Sequence, residues 1–279
     1  MRLGVFAKTF AGESPSVALS AARQAGFETV QYNMACSGLG SLPLSIPDAA
    51  IEAILAAKAE TGVSIAAVSA TYNMVHPDSA ERERGRRSFT AIAEAASRIG
   101  IRLVTLCTGT RDPHDQWRAH PENASRAAWR DLCDEFEGLL QAAERHDLLL
   151  GVEPELANVV DSPQRARELL DILRSDRVRI VLDPANLFER ASPERRRALV
   201  EVAIDLLADR IELAHAKDRD ADGRFAAAGK GAIDFRHFLA HLRRSGFEGA
   251  VIAHGFLEHE ALEVATFLRA QLHFVEGQT

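Results

Sequence analysis

Short runs rich in valine, isoleucine and leucine alternate with longer amphipathic stretches along the chain, and the alternation persists to its end. Short apolar runs bounded by turn residues read as buried strands, and longer stretches with a 3.6-residue apolar period read as helices. The runs predict strands at Leu3 to Lys8, Thr29 to Asn33, Ser64 to Asn73, Leu103 to Gly109, Leu148 to Glu155, Val178 to Asn186, Ile211 to Asp218 and Ala250 to Gly255. Helices are expected between them. Pro15 to Ala25 is followed by Gly26, Pro47 to Thr61 by Gly62, and Asp234 to Ser245 by Gly246, with a last helix from near Glu260 to Phe274. Proline near the start and glycine just past the end punctuate helices in this way.

About eight strand and helix units match the number that closes a parallel barrel. The rival, an open doubly wound sheet, advertises a glycine-rich phosphate turn after its first strand, whereas the first strand here leads into Thr9, Phe10, Ala11, Gly12 and Glu13. No Pro/Gly/Ser-rich linker divides the 279 residues. The expected fold is therefore α/β, one (β/α)8 barrel domain over residues 1–279. The longest irregular stretch, Thr108 to Pro121, follows a strand and reads as a candidate lid.

Composition excludes several functions. A net charge of −7 without a long Lys/Arg run disfavours nucleic acid, and the Arg195, Arg196, Arg197 cluster sits among helical residues as a solvated face. Cys36, Cys107 and Cys133 have no CxxC spacing, so neither a disulfide framework nor a thiolate zinc site is implied. No window reaches membrane-span length and the N-terminal apolar stretch is too short for a signal sequence, so a soluble, cytoplasmic protein without membrane partners is expected.

In a parallel barrel the C-terminal ends of the strands build the site. Three consecutive strands end in metal-ligand types: Glu153 in GVEPE, Asp183 in LDPAN and His215 in AHAKD. Two carboxylates and an imidazole suit a divalent ion such as Mn2+, Mg2+, Co2+ or Zn2+ and leave positions for substrate oxygens. Glu153 is also the best candidate base. Glu155 shares its strand parity, although a loop or capping role after Pro154 is an equal reading. Lys217, two residues after His215, lies on the same face and could neutralise an alkoxide; an ion pair with Asp218 is the alternative. Asn33 and Asn73 end the second and third strands and could bind sugar hydroxyls or merely satisfy turns, with His76 just beyond as a candidate proton relay.

These segments resemble the sugar phosphate isomerase/epimerase superfamily, the xylose isomerase-like barrels that include ketose 3-epimerases, inosose dehydratases and endonuclease IV. The resemblance rests on GVEPELANVV at Gly151 to Val160, VLDPANLF at Val181 to Phe188, AHAKD at Ala214 to Asp218, GKGAIDF at Gly229 to Phe235 and GFEGAVIAHG at Gly246 to Gly255. It implies a metal-dependent isomerase or epimerase acting on a small sugar, sugar phosphate or cyclitol through an enediolate, with Glu153, Asp183 and His215 as ligands. A homo-oligomer is compatible with the resemblance. Two positions depart from the family pattern. Asn186 stands where several members have a substrate-binding histidine, and Ala253 stands where they have a fourth ligand, a glutamate on the eighth strand that also completes an acid/base pair. His254 could replace that ligand across a bulge, but on that alignment strict alternation turns it toward the helix layer as a structural histidine, with Glu258 or His259 in the following loop as other substitutes. The same residues imply two other functions, a dehydratase of the inosose type or a non-catalytic sugar-binding barrel that has lost a ligand.

Overall fold

The computed structural model describes residues 1–277. Eight strands form a closed parallel barrel: β1 (Arg2–Phe6), β2 (Thr29–Tyr32), β3 (Ser64–Ser69), β4 (Leu103–Cys107), β5 (Leu149–Glu153), β6 (Val178–Leu182), β7 (Ile211–Ala216) and β8 (Ala250–Ala253). Each strand pairs with its neighbours in sequence, and β1 closes the ring on β8 with Arg2 opposite Ala250 and Val5 opposite Ala253. The connecting helices are α1 (Pro15–Gln24), α2 (Asp48–Thr61), α3 (Ser79–Ile99), α4 (Arg126–Arg145), α5 (Pro163–Leu173), α6 (Pro193–Leu207), α7 (Phe235–Arg244) and α8 (Ala261–Glu276). Capping side chains set several of their starts. Ser125, Ser162, Ser192 and Asp234 each accept a first-turn N–H. No helix among the described residues is long and apolar enough to cross a membrane.

The core divides by strand parity. Val5, Val30, Val152, Leu182, Ala214, Ala216, Val251 and Ala253 join the large cluster shared with the helices. The alternate residues, Ala67, Leu103, Val181, Leu213, Ala250 and Ile252, form a separate plug inside the barrel. Packing in that plug is tight enough to require glycine. A Cβ on Gly151 would stand 2.9 Å from Val181 Cγ2, and one on Gly4 2.5 Å from Ile252 Cδ1. Continuing the inner parity one step toward the C-terminal ends brings the polar residues to the mouth.

The strands stop before the polar ends assigned to them by sequence. Asp183 leaves β6 to cap a 3-10 turn at Pro184–Asn186, accepting the Ala185 N–H at 2.9 Å, so local side-chain bonding replaces the ladder there. After β7, Asp218 and Arg219 pair antiparallel with Phe225 and Ala226. The buried Asp218 carboxylate accepts backbone N–H groups from Arg219, Gly229, Gly231 and Ile233. That clamp accounts for the glycine spacing in GKGAIDF, because a side chain at Gly231 would collide with Asp218.

Candidate metal centre

Glu153 at the end of β5, Asp183 after β6, His215 on β7 and His254 after β8 present ligand atoms that all lie within 4.8 Å of one another. His215 Nδ1 is 3.1 Å from Glu153 Oε1 and 3.9 Å from Asp183 Oδ2, while His254 Nε2 is 3.1 Å from the same Asp183 oxygen. The two rings meet edge to face with centroids 4.4 Å apart.

His254 is the main correction to the sequence reading. Ala253, not His254, faces the helices: it is fully buried in the large outer cluster, and the inner parity of β8 runs Ala250, Ile252, His254. The inward position open to a fourth ligand on β8 is therefore 254, not 253. The cluster thus has a fourth member without any bulge, and neither Glu258 nor His259 is needed. Glu258 instead accepts the Ala11 N–H at 3.0 Å, and His259 is exposed.

The donor set fits a divalent cation. Donors about 2.1 Å from a common ion stand roughly 3.0–3.4 Å apart; the two 3.1 Å pairs meet that spacing, and His215 and Asp183, at 3.9 Å, would draw together on an ion. Two carboxylates with two neutral imidazoles balance a double positive charge, and the mixed N/O set favours Mn2+, Co2+ or Zn2+ over Mg2+, which prefers oxygen alone. The electrostatics agree. Burial pushes the Glu153 carboxyl upward, but the neighbouring His215 ring and Lys217 ammonium outweigh it and hold the group below its usual range. Asp183 is likewise buried and is held low by Lys217, His254 and His215. Burial, with the neighbouring His215 and Lys217, drives His254 below the ordinary imidazole value, toward the neutral form a ligand needs.

The other expected residues divide into two groups. Lys217 reaches into the cluster, with Nζ 3.3 Å from Asp183 Oδ2, 2.9 Å from Asn186 Oδ1 and 3.9 Å from Glu155 Oε2. Burial lowers its pKa, but the Asp183, Glu153 and Glu155 carboxylates outweigh that and raise it, so it stays charged. Asn186 Nδ2 donates to Glu153 Oε1 at 2.9 Å. Glu155 is pushed up to about 7, by burial first, against the pull of Lys217. Asn33 lines the cavity while its side chain accepts from Ala35 N.

Asn73 and His76 stand apart. The Asn73 amide ties two loops by bonding both Thr110 N and Thr110 O, and His76 Nε2 meets Pro113 O at 3.2 Å in a separate surface groove. The backbone after β3 turns outward there, so strand parity no longer aims these side chains.

A cavity of about 290 Å³ opens over Glu153, His215 and His254. Gln116 and Trp117 of the 108–120 loop line it, which puts the tip of the expected lid over the site. Its base is fixed by Arg111, which bonds Asp131 at 2.6 Å and Val75 O at 2.9 Å. Gln31 of β2 was missed by the sequence reading. Its parity with Asn33, and an amide placed between Val30 and Tyr32 in a buried strand, were the available signals.

The family description Xylose isomerase-like TIM barrel matches residues 19–271. The chain belongs to that family. No curated protein matches it. Among solved structures it resembles the 3-keto-D-glucoside 4-epimerase YcjR of E. coli, at 19% identity over 99% of both chains with a TM-score of 0.76. A D-tagatose 3-epimerase-like protein is 16% identical over 100% of this chain and 99% of its own, with a TM-score of 0.77. The D-psicose 3-epimerase of Clostridium cellulolyticum H10 is 14% identical over 98% of this chain and 99% of its own, at 0.76. At these identities the likeness establishes the fold.

Proposed function

We propose that this barrel is a metal-dependent isomerase or epimerase that moves a proton next to the carbonyl of a small sugar, sugar phosphate or cyclitol. The observation that carries this reading is the convergence of Glu153, Asp183, His215 and His254 from four successive strands beneath a cavity of about 290 Å³. Those four residues would hold the ion. A divalent ion in that position polarises a substrate carbonyl and stabilises the negative charge of an enediolate.

The remaining chemistry belongs to the chain. Glu153 Oε1 accepts from Asn186 and faces His215 Nδ1, whereas Oε2 meets only the Cys107 thiol among the described residues, at 3.8 Å. Oε2 is therefore the oxygen free to take a proton. Lys217, held by Asn186 and Asp183, supplies a fixed positive charge beside the site and can stabilise an alkoxide. Trp117, half exposed at the rim, would shield the reacting carbon from water once substrate is bound.

A dehydratase is the second reading, and His254 favours giving it weight. Inverting a centre calls for a proton-transfer group on each face; a ligating carboxylate keeps a second oxygen for that role, whereas the β8 wall here carries an imidazole whose Nε2 would be taken by the ion. One base on the Glu153 side suffices for isomerisation or for elimination of water. A non-catalytic barrel loses its motivation, because its premise was a missing fourth group.

The test is metal content of the purified protein, followed by deuterium exchange from solvent into carbons next to the carbonyl across ketoses, ketose phosphates and inososes. Metal-dependent exchange without water loss is expected for the isomerase, and exchange coupled to water loss marks the dehydratase. Absence of both metal and exchange overturns the proposal.

A further inference from the structure

Inside the barrel, directly under the mouth, a polar belt crosses the interior from β4 to β5. Gln31 Nε2 donates to Thr105 Oγ1 at 3.1 Å, Gln31 Oε1 faces His215 Nε2 at 2.8 Å, and His215 Nδ1 faces Glu153 Oε1 at 3.1 Å. Gln31, Thr105 and His215 are all buried, so water does not compete for these groups. The pairing of β2 with β3 shifts register between Val30 and Gln31, and this irregularity lies at the residue that turns inward.

An amide oxygen only accepts, so the ring nitrogen facing it carries the hydrogen. In the neutral ring the other nitrogen then keeps its lone pair. Here that nitrogen is Nδ1, the one directed at Glu153 and Asp183. We propose that Gln31 is a positioning residue that locks His215 as its Nε2–H tautomer and fixes the ring plane, leaving Nδ1 as a ready donor toward a divalent cation. Thr105 holds the amide in turn by accepting from its NH2 group. The opposite arrangement, with the amide turned over, would place the His215 proton on Nδ1 against Glu153 and block that donor.

The inference rests on the cluster being a cation site, and its test separates the two claims. Long-range 15N–1H spectra of the metal-free protein report the His215 tautomer directly. Titration with Zn2+ against a chromophoric chelator reports affinity in the wild type, Gln31→Leu and Gln31→Glu, with thermal melts checking that each variant folds. We expect an Nε2–H resonance for wild-type His215, 10- to 100-fold weaker Zn2+ binding in Gln31→Leu, about the scale of an outer-shell partner's loss, and near-normal binding in Gln31→Glu, whose carboxylate also accepts from Nε2–H. Wild-type His215 protonated at Nδ1 instead, or unchanged Zn2+ affinity in a folded Gln31→Leu, overturns the assignment. If the wild type takes up no ion, the cation reading fails, and the tautomer in the metal-free protein still decides the role of Gln31. Should Gln31→Leu not fold, the wild-type tautomer and the Gln31→Glu titration carry the test.

Discussion

Replacing His254 by alanine should weaken divalent-cation binding by about two orders of magnitude or more while leaving the barrel folded. Four-ligand protein sites bind zinc with about 10–16 kcal/mol, so an even share per donor is about 2.5–4 kcal/mol, or roughly 10²- to 10³-fold in Kd. His254 should show a full share, because its Nε2 lies 3.1 Å from the Asp183 oxygen about which the cluster converges. It is also only partly buried, so its removal opens space to the cavity instead of leaving a void in the core.

The adjacent position makes the experiment discriminating. If Ala253 faced the mouth, Ala253→Glu would restore a family-like ligand and tighten binding. Because Ala253 is fully buried against the helices, the new carboxyl group should leave affinity unimproved and destabilise the fold by at least about 2 kcal/mol, the lower end of the cost of burying even an amide or hydroxyl without a partner. His254→Glu, on the correct parity, should retain the ion. Chelator-competition titrations with Zn2+ and Co2+, paired with urea unfolding, read both effects. Tighter binding in Ala253→Glu, or unchanged affinity in His254→Ala, would refute the register argument.

Glu153→Gln should abolish solvent deuterium exchange into substrate in single-turnover assays, since an amide cannot take the proton; residual exchange at the wild-type rate would move the base elsewhere. Gly109→Ala should cost about 2 kcal/mol or more in urea unfolding, because Gly109 has a φ of +78° and its Cβ would run into the Asn73 amide; a neutral result would mean that the Asn73 tie is dispensable. Asp218→Ala strands four backbone N–H groups and should lower stability by at least about 3 kcal/mol, with accelerated hydrogen exchange at Gly229, Gly231 and Ile233 as its local signature. Burial raises the Glu135 carboxyl above its usual range even against the Tyr72 hydroxyl and the Arg86 and Arg82 guanidiniums. The folded chain therefore holds that proton more tightly than the unfolded chain. Its contribution is complete below about pH 4.3 and fades as pH rises through the raised value, so Glu135→Gln should flatten this part of the stability profile; parallel wild-type and variant profiles would contradict the shift.

The barrel was legible because burial on both faces leaves a strong trace: all eight apolar runs became strands, and each began within two residues of its expected start. Three members of the cluster followed from the same regularity, since Glu153, Asp183 and His215 stand where inner parity meets a strand's C-terminal end. What failed was parity carried past its domain. Asn73 and His76 lie beyond the last β3 ladder pair, where loop bonds to Thr110 and Pro113 orient them instead. At β8 the opposite error occurred: the phase was taken from a family glutamate, although Ile252 in this chain already fixed it. An inward apolar residue two positions earlier is held by the packing of the whole plug, so it constrains side-chain direction more firmly than a match at one polar position. Counted that way, Phe6, Gln31, Glu153, His215 and His254 all face inward and line one cavity, and the amide among them is the natural partner for an imidazole whose other nitrogen must stay free.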